Sequence, residues 1–263
     1  MKGITELRWR QWLYLIGEIV LVGNIGGNGR AIAQGAALRV AAAADLTKAF
    51  TEVATAYQNR TGQDVKLVFA SSGQLAQQIE NGAPYDLFAA ANEDYVEKLS
   101  RANLLLPGTK QVYAIGHLAL WTRVDAADHP NRIEDLAEPR YTHIAIANPD
   151  HAPYGMAARE ALQTAKIWDV VKSRLVYGEN IQSTYQYAAT GNVEVALVSL
   201  SIALGSREGH FELVPDKLHK PLRQAIAILN STSQPDNARR FLAYVRRGEG
   251  AAVLRRYGFV VPK

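Results

Sequence analysis

Cysteine is absent from all 263 residues, which excludes disulfides, thiolate metal sites and cysteine nucleophiles together. Histidine is scarce, at 6 residues, and no two of them sit at metal-ligand spacing. Internal repeats and low-complexity tracts are also missing. Beyond the first 33 residues no apolar run is long enough to span a membrane. Strong charge of one sign is lacking too. The formal net charge is +4, and within residues 1–33 Lys2, Arg8, Arg10 and Arg30 outweigh Glu6 and Glu18, so the remainder is only weakly basic. The basic doublets Arg239-Arg240, Arg246-Arg247 and Arg255-Arg256 read as solvated helix faces. They make no stripe for phosphate neutralisation, so no nucleic-acid partner is expected.

What is present is the balance of a globular chain, 48% hydrophobic and 21% charged. Residues 1–33 have the layout of a secretory signal peptide: Lys2, Arg8 and Arg10, the apolar stretch Trp12 to Val22, then Ala31-Ile32-Ala33, which predicts cleavage before Gln34. Glu18 interrupts that stretch, and retention as an anchor is the alternative. The stretch is shorter than the ~20 residues a spanning helix needs, so removal is favoured, with a product in the periplasm or otherwise outside the cytoplasm.

From residue 38 onward short apolar runs alternate with segments of helical period, the pattern of an α/β fold with a mainly parallel sheet. Strands are expected at Leu38–Ala43, Val65–Ala70, Leu87–Ala91, His117–Thr122, His143–Ala147, Val195–Leu200 and Gln224–Leu229. Between the first two, Leu46, Phe50, Val53 and Tyr57 mark one stripe of a helix that Gly62 is placed to cap. Further helices are expected at Gln74–Ile79, from near Gly155 with Ala158, Ala161 and Leu162 inward, after Gln182 with Tyr185 and Tyr187, and at Asp236–Arg247 and Gly250–Tyr257. The strands fall into two groups, which favours two lobes.

Ligands of such sheets collect at the carboxyl ends of strands, where the free amides of the next helix point outward. Four turns of this kind carry candidates. Ala43-Ala44-Asp45-Leu46 offers the amides of Ala44 and Asp45, and the Asp45 carboxylate suits a helix N-cap. Facing a dianion at ~5 Å and an effective dielectric of ~20, an ionised Asp45 would be repelled by about 6 to 7 kcal/mol, so it is no direct ligand unless protonated. The second turn places Ser71, Ser72 and Gly73 before a helix, two hydroxyl donors and a residue that permits close approach. The third, Asn148 to Gly155, supplies the Tyr154 phenol. His151 in that turn reads as a surface histidine with no nucleophile to activate, and no histidine is expected beside Ser71 or Ser72. The fourth, Gly178 to Gln182, offers the amides of Asn180 to Gln182. Each turn alone is also explained by an ordinary capped loop.

At these turns the chain resembles the periplasmic molybdate-binding proteins of ABC importers. The matching stretches are VAAAADL (40–46), FASSGQLAQQIENGAPYDLFAAA (69–91), IANPDHAPYGMAAREAL (146–162), GENIQ (178–182) and RRYGFVVP (255–262). The resemblance implies a type II periplasmic binding protein fold: two α/β lobes, each a mainly parallel sheet flanked by helices, with a ligand cleft between them. It places a first lobe at 34–113 and 222–263 and a second at 114–221, with crossings near Val112–Gly116 and Pro221–Gln224. By position, oxyanion contacts fall on Ala44, Asp45, Ser71, Ser72, Tyr154 and Ile181, the last through its backbone. Ser199 is a weaker candidate, standing where many relatives carry tyrosine, while many carry serine where this chain has Asp45.

The resemblance implies a monomeric carrier of molybdate or tungstate that delivers to a membrane ABC permease. Molybdenum enters only as the bound oxyanion; no cofactor and no catalytic residue are expected. Sulfate or another small oxyanion is the alternative ligand. An enzyme on the same bilobal scaffold and a ligand-sensing regulatory domain are the readings from other classes.

Overall fold

The computed structural model describes residues 36–206 and 209–262; the expected signal peptide and its cleavage point lie outside them. Among the described residues the strands, in chain order, are β1 (Leu38–Ala43), β2 (Val65–Ala70), β3 (Leu87–Ala90), β4 (Gln111–Gly116), β5 (Leu118–Arg123), β6 (Ile144–Ala147), β7 (Leu175–Gly178), β8 (Val195–Ser199), β9 (Gly209–Leu213) and β10 (Leu222–Ile228). The helices are α1 (Thr47–Thr61), α2 (Ser72–Glu80), α3 (Glu93–Arg101), α4 (Pro153–Thr164), α5 (Trp168–Val171), α6 (Ile181–Ala189), α7 (Leu200–Gly205), α8 (Pro235–Arg246) and α9 (Gly248–Arg256). All seven expected strands occur, within two residues at their ends. Gly62 ends α1 at φ 75°, its amide bonded to the Gln58 carbonyl.

Two five-stranded sheets result, in the orders β2-β1-β3-β10-β4 and β7-β6-β8-β5-β9. They repeat one design. Three parallel strands are followed by an antiparallel strand, β10 or β5, and then by an edge strand antiparallel to it. Four strands of each sheet therefore point one way and the fifth runs against them, so both sheets are mixed. The opposed strand comes in each case from a chain that has just left the other sheet: β5 follows β4 after His117 alone, and β10 follows β9 across residues 214–221. The two crossings pair side by side, Gly116 with Leu222 and Ala114 with Gln224. His117 Nδ1 lies 3.0 Å from Asp216 Oδ1 and ties the outgoing segment to the returning one.

Both faces of each sheet are covered, as expected for strands of nearly continuous apolar sequence. On the first sheet Leu38, Val40 and Ala42 meet Phe50, Val53 and Tyr57 of α1 and Phe241 and Val245 of α8. On its other face Ala41 and Phe88 meet Leu75 and Ile79 of α2 and Val96 and Leu99 of α3. The second sheet packs Ile144 and Ile146 against Ala158, Ala161 and Leu162 of α4, and Trp121 and Ala145 against Ala188 of α6. Full burial of each large side chain is worth about 1.5 to 3 kcal/mol. This packing holds the start of each helix at the end of its strand, where a site would form.

Candidate functional site

Five strand-to-helix turns converge on one small cavity. Its wall is made by Ala43, Ala44, Asp45, Ser71, Ser72, Ala91, Ala152, Pro153, Tyr154 and Ile181, around about 200 Å³ of empty space. Residues 43–45, 71–72 and 91 come from the first sheet's turns, and 152–154 and 181 from those of the second. All six leading sequence candidates are therefore brought together. Larger hollows lie elsewhere. One, of about 790 Å³, is bounded by Arg123, Asp125, Asp128 and Arg140, whose charges are already paired with one another.

Helix geometry sets what the wall can offer, because amides of a first turn have no partner within the helix. A 3-10 turn, Ala44–Leu46, precedes α1, so the amides of Ala44 and Asp45 are of this kind. Ser72 opens α2, Tyr154 follows Pro153 at the start of α4, and Ile181 opens α6. Each helix start also brings a partial positive charge, so the cavity favours an anion without any cationic side chain in its wall.

Side chains add three hydroxyls. Ser72 is fully buried and its Oγ accepts from the Ala91 amide at 2.9 Å, which leaves the hydroxyl proton for a ligand. Tyr154 is buried, its Oη accepts from Gln224 Nε2 at 3.3 Å, and its own proton faces the Asp45 carboxylate at the cavity wall. Burial, and then the Asp45 charge, hold the Tyr154 phenol well above the usual tyrosine range, so it stays a donor. Ser71 is more committed. It caps α2 in a capping box with Gln74, and its Oγ also lies 2.8 Å from His151 Nδ1.

That last contact corrects the expectation that no histidine stands beside Ser71 or Ser72. His151 is half-buried rather than a free surface residue, because the 148–152 turn folds onto the start of α2, where Gly73 N–H donates to the His151 carbonyl at 2.9 Å. Gln74 Nε2 donates to Glu179 at 2.6 Å, and Ser201 Oγ to the Asp45 carbonyl at 2.7 Å. These contacts join the turns of the first sheet to those of the second around the cavity.

Asp45 is the outlier. It caps no helix, contrary to the sequence expectation: the residues preceding the 3-10 turn and α1 are Ala43 and Leu46, and neither end has a side-chain cap. The carboxylate instead turns inward, where Oδ2 accepts from Gln224 Nε2 at 2.5 Å and Oδ1 has no partner. Burial pushes its pKa up to about 6, against the opposing pull of the Gln224 and Tyr154 hydrogen bonds.

Two further candidates are corrected. The Gln182 amide is consumed by the Asn180 cap at 2.9 Å, so of the fourth turn only Ile181 contributes wall. Ser199 lies outside the wall: it is fully buried, caps α7 through Ile202 N–H at 3.3 Å and pairs with Ser201 Oγ at 2.9 Å. Sequence reasoning missed Gln224, Tyr113 and Gly116. Tyr113 Oη donates to Gln224 Oε1 at 2.7 Å, and a Cβ on Gly116 would lie 2.2 Å from Tyr154 Oη. The available signal was Gln224 itself, a polar residue in the strand run QAIAIL, which if buried has to find partners.

Residues 38–260 match the family model for bacterial extracellular solute-binding proteins. The chain belongs to that family. This solute-binding protein is 34% identical over 245 residues to the molybdate-binding protein ModA of Rhodobacter capsulatus, covering 89% of this chain and 95% of the relative. With the ModA of Azotobacter vinelandii it shares 33% identity over 86% of this chain and 91% of the relative. The solved Azotobacter vinelandii periplasmic molybdate-binding protein superposes with a TM-score of 0.81 at 30% identity, over 86% of this chain and all of that one. These relatives are substrate-binding proteins, and the two mixed sheets flanked by helices are the bilobal periplasmic binding protein fold.

Proposed function

We propose that this solute-binding protein captures molybdate or tungstate between its two lobes and delivers it to an ABC import permease. The observation that carries the reading is the convergence of Ala44, Asp45, Ser71, Ser72, Tyr154 and Ile181, from both sheets, on one small cavity. Backbone amides and neutral hydroxyls hold the oxygens, and molybdenum itself touches no side chain. Charge-assisted hydrogen bonds contribute about 1.5 to 3 kcal/mol each, so a handful gives micromolar or tighter binding after desolvation. The names of the Rhodobacter and Azotobacter relatives support molybdate over sulfate.

In this reading the lobes are 34–113 with 222–263, and 114–221. Residues 1–33 export the protein to the periplasm or another extracytoplasmic space, where it acts as a monomer without a cofactor. It is not an enzyme. The Ser71–His151 pair serves closure, because Ser71 is held as a helix cap and its hydroxyl already engages Gln74.

A panel of molybdate, tungstate, sulfate and phosphate in thermal unfolding tests the reading. A ligand at about 100 times its dissociation constant stabilises by about 2.7 kcal/mol. A rise in midpoint with molybdate and tungstate is expected, and a response to sulfate alone would replace the ligand assignment. Tyr154→Phe is expected to weaken molybdate binding by about 1 to 3 kcal/mol in calorimetry. An unchanged affinity would remove the phenol from the site.

A further inference from the structure

The proposed cargo is a dianion, yet one wall of its cavity is a carboxyl group. Asp45 is 2% exposed and lies among four helix starts. Its surroundings fix which oxygen can carry a proton. Tyr113 Oη donates to Gln224 Oε1 at 2.7 Å, which commits the Gln224 amide to presenting its N–H groups to Asp45 Oδ2 at 2.5 Å and Tyr154 Oη at 3.3 Å. Oδ2 is therefore an acceptor. A proton on Asp45 belongs on Oδ1, the buried oxygen that has no partner.

No nearby charge offers another way to neutralise the group. The titratable side chains facing Asp45 are the phenols of Tyr113 on β4 and Tyr154 on α4. Lys48 on α1 reaches the Gly205 carbonyl, and Arg223 on β10 binds Glu93 at 2.7 Å. From α7 the contact is the Ser201 hydroxyl, and from the α2 start the nearest titratable group is His151, one hydrogen bond behind Ser71. Among the described residues no lysine, arginine or histidine makes a hydrogen bond or ion pair with the Asp45 carboxyl.

We propose that Asp45 takes up one proton from solvent as the oxyanion binds, so that the site captures dianion and proton together and Asp45 Oδ1–H becomes a donor to the bound anion. The inference rests on reading the cavity as an oxyanion site. An ionised Asp45 would set like charges against each other in a desolvated space, whereas the protonated form adds a hydrogen bond where the wall has an idle oxygen. With the empty-state pKa at about 6, the group is mostly ionised near neutral pH. Binding then draws in close to one proton. The dissociation constant rises about tenfold per pH unit above that pKa and levels off below it.

Isothermal calorimetry of sodium molybdate with the intact protein, in HEPES and in Tris at about pH 8, reads the proton count directly from the difference in buffer heats. Uptake of about one proton per anion is expected, with roughly tenfold weaker binding at about pH 8 than at about pH 7. In Asp45→Asn the uptake and the slope should vanish together. A slope that persists in that variant belongs to another group and overturns the proposal. Molybdate binding to the unaltered protein without proton uptake also overturns it, and leaves the oxyanion reading standing. Absence of binding by the unaltered protein at every pH overturns both.

Discussion

Gly155→Ala is expected to destabilise the fold by about 3 kcal/mol or more and to abolish oxyanion capture. A Cβ at Gly155 would lie 2.1 Å from the Ala147 carbonyl oxygen, 2.7 Å from the Ala147 carbonyl carbon and 2.9 Å from that of Asn148. All three are backbone atoms at the end of β6, and no rotamer change can move them aside. Ala147 is moreover fixed in register with Gly178 by the β6–β7 pairing. The first turn of α4 would have to lift from the sheet, and Tyr154, the adjacent residue, would leave the cavity with it. Urea unfolding reads the first effect through the midpoint, and calorimetry with molybdate reads the second. A variant with unaltered midpoint and affinity would show that α4 does not depend on this close approach.

Gly155 illustrates what sequence could and could not convey. The helix start near it was legible from Pro153 and from the spacing of Ala158, Ala161 and Leu162, but contact with Ala147 depends on how α4 lies across β6. The same division runs through the strands. β1, β3, β6, β8 and β10 are buried on both faces and read as apolar runs. β4, β7 and β9, which were not expected as strands, all stand at the edges of the two sheets. β9 is mostly exposed along its length, so burial left little mark on its composition. At the site, the local turn chemistry of residues 43–46, 71–74 and 153–155 was visible, whereas Gln224 and Tyr113 reach Asp45 from strands distant in sequence, and no local pattern encodes such a meeting. The capping expectation for Asp45 failed for a related reason: the 3-10 turn delays the α-helix to Thr47 and leaves the carboxylate facing inward.

The second large effect is on stability. Asp45→Asn is expected to stabilise the ligand-free protein by about 3 kcal/mol at about pH 8, because it removes a buried charge and keeps an oxygen to accept from Gln224. The Asp45 pKa is raised from 3.8 to about 6 in the folded state, so the folded protein binds more protons than the unfolded chain between those values. Stability of the unaltered protein therefore falls as pH rises through that window and levels off above it. The advantage of the variant should shrink to below about 1 kcal/mol at about pH 4. Urea midpoints at several pH values measure both curves. A constant gap across the range would mean that Asp45 titrates normally.

Only His117 separates β4 from β5, and a tether of one residue spans at most ~7 Å between the Cα atoms on either side. Bodies joined so tightly can pivot but cannot slide past one another. Tyr113, Gly116 and Gln224 sit on the strands at that crossing, while the Gln74–Glu179 and Gly73–His151 contacts join turns of the two sheets. One side of the cavity is thus held by the pairing of two strands, and the opposite side only by single contacts between turns.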